Sequence, residues 1–330
     1  MPIIITGDVH LHPHQAWSTI LENGRNSRLQ NGLDCLLQAS ERAGKGGLVV
    51  VAGDLFDDRV SVPVDAIDAC GEWLDRVDEL DQEVLITVGN HDMHLRDASC
   101  NSLRMLRQHR RVHLFEQVGS ITLHGIDWTL VPYKHNYVEL AEDLMMLNPV
   151  GKGRPKVCIM HADFVGATQN GGRISTKGLD PNHPALKCFD YVISGHYHRP
   201  QQIHTNVWYV GSPYQLDRGE QGEEKRFIRF SSDLQKIETV PVMGMPTFKT
   251  KEFDEFKPEE DYNDFVNVVC DSPEQVEQIG KDNHAARSIL QAPNVVMEFK
   301  GAITVADSVV FCLDDLQRPD LKERALALLS

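Results

Sequence analysis

Five short apolar runs, each ending in residues that hold metals or move protons, constrain this chain more than any other feature. Ile3–Thr6 runs into Gly7-Asp8-Val9-His10, residues 48–52 into Gly53-Asp54, and 84–88 into Gly89-Asn90-His91-Asp92. Residues 157–160 end in His161, and 191–194 end in Gly195-His196-Tyr197-His198. Runs rich in Val and Ile at this length read as strands buried on both faces, the pattern of a parallel sheet. In open α/β sheets, ligands bind at the carboxyl ends of such strands. Any single ending is ambiguous, because Gly-Asn is an ordinary turn and a lone Asp-x-His is as readily a turn carboxylate beside a surface histidine. Five endings of one kind point to one site. Alternation lets Asp8 and His10 face one way, and likewise His196 and His198, with Tyr197 turned aside. Carboxylate, imidazole and amide oxygen together suit a borderline-hard divalent ion.

A parallel sheet needs crossovers, and the intervening segments supply them. Helical spacing predicts helices over 33–43, 61–80, 101–111 and 137–147. Residues 112–133 alternate and turn at Gly119 and Gly125, which predicts antiparallel strands. Strands are also expected over 207–210, 227–230 and 237–242, forming a second sheet packed on the first. At 330 residues and 41% hydrophobic content the chain can bury one large core plus a small appendage.

The boundary is placed at residue 245. Residues 1–245 hold 31 acids and 24 bases, whereas 246–330 hold 17 acids and 9 bases, about half of the net charge of −15. This acidic last quarter reads as a small α/β domain, with strands at 265–269 and 295–299, a helix over 274–290, and a final helix at 320–329. Bulk electrostatics in so acidic a chain argue against broad nucleic-acid binding but leave room for a local basic groove. Arg104, Arg107 and Arg111 make one such stripe, read either as a solvated face or as a phosphate contact. The block 151–200, with seven bases against three acids, contains Arg173 and Lys177, candidates for substrate phosphates in a loop that is otherwise simply solvated. Seven dispersed cysteines without paired spacing fit reduced thiols, and no run approaches a membrane span; a cytoplasmic protein is expected.

The ordered set GDVH, GDLFD, GNHD, His161 and GHYH resembles the calcineurin-like metallophosphoesterases over about residues 1–240. Within that superfamily, GDLFD, the GNHD context and VGSPYQLDRGEQGEEKRF (210–227) look like the nuclease subunits of the SbcCD type, including phage recombination endonucleases. The resemblance implies an α/β sandwich of two mixed sheets flanked by helices, with a C-terminal cap. It implies two divalent ions, manganese first and magnesium as the alternative. Asp8, His10 and His198 would hold one ion, Asn90, His161 and His196 the other, and Asp54 would bridge them. Four positive charges against two carboxylates leave such a site net positive by about two, able to attract a phosphodiester. Paired ions lower the pKa of a bound water and clamp the oxygens of an in-line displacement.

His91 lies outside the ligand set, and the resemblance makes it the group that protonates the leaving oxygen, with Asp92 expected to orient its ring. Asp57 stands where archaeal and eukaryotic members carry histidine. The implied activity is hydrolysis of DNA as an exonuclease or endonuclease, in a homodimer working with an SMC-like ATPase. The competing readings are a small-molecule or nucleotide phosphodiesterase with the same centre, and a non-catalytic scaffold.

Overall fold

The computed structural model describes residues 2–95, 98–147, 153–230, 236–261, 263–280 and 286–290. The chain divides into Met1–Ile289 and Leu290–Ser330; the first of these is described. In chain order it runs β1 (Ile3–Thr6), α1 (Ser27–Ala43), β2 (Leu48–Val51), α2 (Val64–Glu79), β3 (Glu83–Thr87) and β4 (Val112–Phe115). Next come β5 (Gly119–Leu123), β6 (Ile126–Val131), α3 (Tyr137–Met146), β7 (Lys156–His161), β8 (Tyr191–Gly195), β9 (Gln201–His204) and β10 (Val207–Tyr209). It closes with β11 (Arg226–Phe230), β12 (Ile237–Pro241), β13 (Phe248–Glu252), β14 (Phe265–Cys270), α4 (Pro273–Gly280) and β15 (Ala286–Leu290).

Two six-stranded mixed sheets result, ordered β12-β11-β1-β2-β3-β4 and β5-β6-β7-β8-β10-β9, with a three-stranded sheet β13-β14-β15. The expected sandwich is present. Ile3, Ile5, Val50 and Leu85 of the first sheet pack against Trp128, Leu130, Ile159 and Ile193 of the second in one cluster. The opposite face of the first sheet, with Ile4, Val49 and Ile86, packs on α1 and α2. That is why these strands read as continuous apolar runs: both of their faces are covered.

Helix α1 starts at Asn26, whose side chain accepts the N–H groups of Arg28 and Leu29. It buries Leu29, Leu33, Leu36, Ala39 and Ala43 at helical spacing and stops at Gly44, where φ is 65°. The Asn26 cap extends α1 well before residue 33. Helix α2 buries Ala66, Cys70, Trp73 and Val77. Trp73 is fully buried, and its indole N–H donates to Ser40 Oγ of α1 at 3.0 Å.

Several expectations are corrected. The segment at 101–111 forms only a short 3-10 helix at Ser102–Gln108. Its arginines are drawn to acids: Arg104 and Arg107 converge on Glu116, and Arg111 pairs with Asp81. Each arginine of the stripe therefore already has an acidic partner, two of them sharing Glu116. Within 112–133, β5 and β6 alone form the expected antiparallel pair, since β4 pairs parallel to β3 and β6 parallel to β7. Strands β10 to β12 make no separate sheet: β10 joins the second, and β11 and β12 extend the first. The helix expected over 274–290 ends at Gly280, and Ala286–Leu290 is a strand. The strand at 295–299 and the helix at 320–329 lie outside the described residues. Cys35, Cys70, Cys100, Cys158, Cys188 and Cys270 are free. Among the described residues, no helix is long and apolar enough to cross a membrane.

Trp73→Ala removes the largest side chain between α1 and α2. Chemical unfolding is expected to show a loss of about 3–5 kcal/mol, the usual cost of truncating a buried Trp.

Candidate metal centre

Asp8, Asp54 and Asn90 follow the carboxyl ends of β1, β2 and β3, three adjacent parallel strands. His161 ends β7 and His196 follows β8, so both sheets deliver side chains to one edge. The turns after β1 and β2 zip together through Asp8 N to Gly53 O (3.1 Å), His10 N to Asp54 O (3.1 Å) and Leu11 N to Leu55 O (2.8 Å). Asp8, His10 and Asp54 sit at φ of 50–51° and His196 at 99°, in the left-handed region. Four non-glycine residues held there mark a place where the fold spends stability on side-chain placement. Gly89 is required by contact: a Cβ there would overlap the Asp54 carboxylate.

All seven expected ligands come together. Ligand atoms of Asp8, His10 and His198 form one group and those of Asp8, Asp54 and His161 another. Asn90 Oδ1 lies 2.9 Å from His161 Nε2 and 2.7 Å from His196 Nδ1. Asp54 Oδ2 is 3.2 Å from His161 Nε2 and 3.8 Å from His10 Nε2, between the two sets.

Each histidine has one nitrogen tied to the protein. His10 Nδ1 meets Asp57 Oδ1 at 2.8 Å, His198 Nδ1 meets Glu220 Oε1 at 2.8 Å, and His196 Nε2 meets Asp163 Oδ1 at 3.0 Å. His161 Nδ1 donates to the Ala52 carbonyl at 2.8 Å. Such partners fix ring orientation and tautomer, leaving the other nitrogen for a metal. His10 Nε2 is buried with no hydrogen-bond partner among the described residues, which fits a cation ligand. The residues present therefore fit a pair of divalent ions.

Burial by itself would lower the His10 pKa, but the hydrogen bond from Asp57 and the charges of Asp54, Asp57 and Asp8 raise it to about 9. For His161, burial is likewise outweighed, chiefly by the charge and hydrogen bond of Asp54, and the pKa rises to about 9. Burial opposes ionisation of Asp54, yet His161, His10 and His91 hold its carboxyl far below the usual range. Glu220, buried beside His198 and Lys225, is lowered to about 2.

His91 stands beside the centre, its ring 4.8 Å from that of His10 and its main-chain N–H donating to Asp54 Oδ1 at 2.7 Å. Burial lowers its pKa. The expectation that Asp92 orients the His91 ring is corrected. The Asp92 carboxylate is buried and accepts main-chain N–H groups from Asp54 (2.8 Å), Gly89 (3.0 Å) and Phe56 (3.1 Å). The ring is held instead by Asp57, whose carbonyl lies 2.6 Å from His91 Nδ1. Arg173 and Lys177 are exposed. Their loop touches the centre through Asp163, Gln169, Asn170 and Ser175, of which Gln169 and Ser175 bond the Tyr197 hydroxyl.

Sequence reasoning missed Asp163 and Glu220. Glu220 also accepts from Ser212 Oγ (3.0 Å) and Leu216 N (3.1 Å) and pairs with Lys225 (2.7 Å). Glu220→Gln keeps the shape and removes the charge behind His198. Chelator-competition titration is expected to show one of two bound metals weakened about 10–100-fold, with the other unchanged.

The calcineurin-like phosphoesterase family model matches residues 1–200. Exonuclease subunit 1 of Enterobacteria phage T4 is 25% identical over 242 residues, covering 72% of this chain and 68% of the relative. The DNA double-strand break repair protein Mre11 of Methanopyrus kandleri is 25% identical over 284 residues, covering 74% of this chain and 61% of the relative. A crystal structure of a dimetal phosphatase from Danio rerio aligns with 73% of this chain and 99% of its own, at 13% identity and a TM-score of 0.41. With the family match spanning the strands that carry all seven side chains, the chain belongs to the calcineurin-like metallophosphoesterases.

Proposed function

We propose that this protein is a metal-dependent DNA nuclease that hydrolyses phosphodiester bonds. Two relatives named as a phage exonuclease subunit and a DNA-break repair protein favour DNA as substrate. The observation that carries the phosphodiester chemistry is His91, placed against the ligand cluster but tied to none of its ion-facing atoms. When bound, two divalent ions activate water and neutralise charge on the phosphoryl oxygens, with manganese the preferred metal. His10, His198 and Asp8 would hold one ion, Asn90, His161 and His196 the other, and Asp54 would serve both.

The protein's own part is orientation and proton transfer. A carbonyl only accepts, so the contact with Asp57 O makes His91 Nδ1 a donor and fixes the tautomer. Nε2 is then the nitrogen that exchanges a proton with the leaving oxygen. Asp57 serves two rings at once, accepting from His10 through its carboxylate and from His91 through its carbonyl.

Residues 246–330 are assigned to a module that contacts an SMC-like ATPase, and the working form to a cytoplasmic homodimer. Arg173 and Lys177 are assigned to phosphates of the incoming strand. The double variant Arg173→Ala/Lys177→Ala should then reduce the salt slope of DNA binding by about one to two, since each lost phosphate contact removes about one. An unchanged slope excludes them.

Digestion of labelled linear DNA with manganese and with magnesium, beside bis-p-nitrophenyl phosphate, tests the activity. Cleavage of the small diester without cleavage of DNA would favour a small-molecule phosphodiesterase. His91→Ala should retain both metals and lose about 10²–10⁴-fold in turnover of DNA. Nitrophenolate departs without a proton, so the same variant should be much less impaired on the nitrophenyl diester.

A further inference from the structure

Beside the histidines lies a cleft of about 500 Å³ that the metal chemistry leaves unused. That volume is ordinary for a small-molecule site. Its walls include Glu116, Gln117, Pro132, Tyr133, His135 and Glu139. Tyr133 is the wall nearest the metal centre. Its ring centroid lies 5.5 Å from that of His196 and 6.0 Å from that of His161. Its main-chain N–H donates to the Val88 carbonyl at 2.9 Å, two residues before Asn90. The His135 ring meets the Tyr133 ring edge-on at 5.0 Å and 88°, which makes an aromatic corner.

Charge narrows the occupant. Glu116 and Glu139 bring carboxylates to the lining, and Lys134, the only lysine or arginine there among the described residues, is already paired with Asp143. Glu116 is engaged by Asn101, Arg104 and Arg107, none of which lines the cleft. Within the lining a second phosphate would meet the carboxylates of Glu116 and Glu139 and a lysine already paired with Asp143. A neutral planar group would meet two aromatic rings and the exposed Gln117 amide, which can pair with a heterocycle edge.

We infer that this cleft is a nucleobase subsite: a nucleotide whose phosphate lies at the metal centre stacks its base on the corner formed by Tyr133 and His135. A base in a duplex cannot turn into a side cleft while it remains stacked, so the occupant is an unpaired nucleotide, at a frayed end or in a single strand. The inference rests on the nucleotide-diester reading above and narrows its substrate to unpaired residues.

The metal-loaded full chain is titrated by calorimetry with 2′-deoxyadenosine 5′-monophosphate and with 2-deoxyribose 5-phosphate, which lacks only the base. The nucleotide should bind at least about fivefold more tightly, the low end of what stacking on one aromatic side chain contributes. Tyr133→Phe should keep the preference, and Tyr133→Leu should abolish it. Metal content is measured on both, because the Tyr133 ring leans on His196. If Tyr133→Leu loses metal, His135→Ala takes its place and must reduce the preference. Equal affinities in the natural protein overturn the subsite, and so does a metal-replete Tyr133→Leu that still prefers the nucleotide.

Cleavage separates this inference from the nuclease reading. A protein that prefers the nucleotide but leaves single-stranded DNA intact overturns only the nuclease. One that cuts DNA, yet cuts single strands with abasic and normal end residues equally well, overturns only the subsite.

Discussion

The centre depends on a carboxylate that touches none of its ion-facing atoms. Asp92 accepts N–H groups from Asp54, Phe56 and Gly89 and so clamps the turn after β2 to the turn after β3. Three main-chain N–H groups converge on this one buried carboxyl group. The clamp is what keeps Asp54 in the left-handed region with its carboxylate aimed at both sets of histidines. It works against a penalty, since burial and the charge of Asp54 both push the Asp92 pKa upward, and the N–H groups of Gly89 and Phe56 oppose that push without overcoming it. Gly89 must lack a side chain for the two turns to approach this closely.

Around that clamp the four histidines share one logic: one ring nitrogen is tied to the protein and the other is left for the centre. The ties come from widely separated segments. Asp57 lies in the turn after β2, Asp163 beyond β7, Glu220 between β10 and β11, and Ala52 at the end of β2. Three of the four ties are carboxylates, so ligand basicity is raised at the same time as geometry is fixed.

The side chains that gather at the candidate centre were legible in the sequence, and their partners were not, for a physical reason. Asp8, His10, Asp54, Asn90, His161, His196 and His198 lie where apolar runs stop, so position alone marks them, although four of them are then aimed by left-handed backbone and not by strand alternation. Asp163 follows His161 by two residues, but nothing local says that its partner is a histidine 33 residues away. Glu220 sits in EQGEE, which by composition is a solvated acidic turn, although it is fully buried. Asp92 was placed in the right neighbourhood and given the wrong contact, because side-chain direction within a tight turn is set by the backbone and not by adjacency. Strand existence was read well and strand pairing poorly: β5 is half-buried as alternation predicts while β6 is buried throughout, and pairing direction is decided by neighbours far along the chain. The helix expected at 101–111 carries helix-forming residues, but Glu116 gathers Arg104 and Arg107 to itself over the 3-10 turn.

The loop holding Glu220 is also held from its outer side. Gln215 Oε1 accepts the Phe248 N–H at 2.6 Å, and Gln221 Oε1 accepts the Thr250 hydroxyl at 2.9 Å, both from β13. Arg28 adds a third point, donating to the Leu216 carbonyl while lying over the Phe265 ring of β14. The small sheet therefore grips the loop on both flanks of the carboxylate that steadies His198. The centre is unequally stiff as a result: three of its histidines are anchored to turns and loops of the two large sheets, and the fourth is anchored through a loop whose outer edge belongs to the small one. A displacement of β13 by a few tenths of an ångström would pull on a single imidazole and leave the other three at rest.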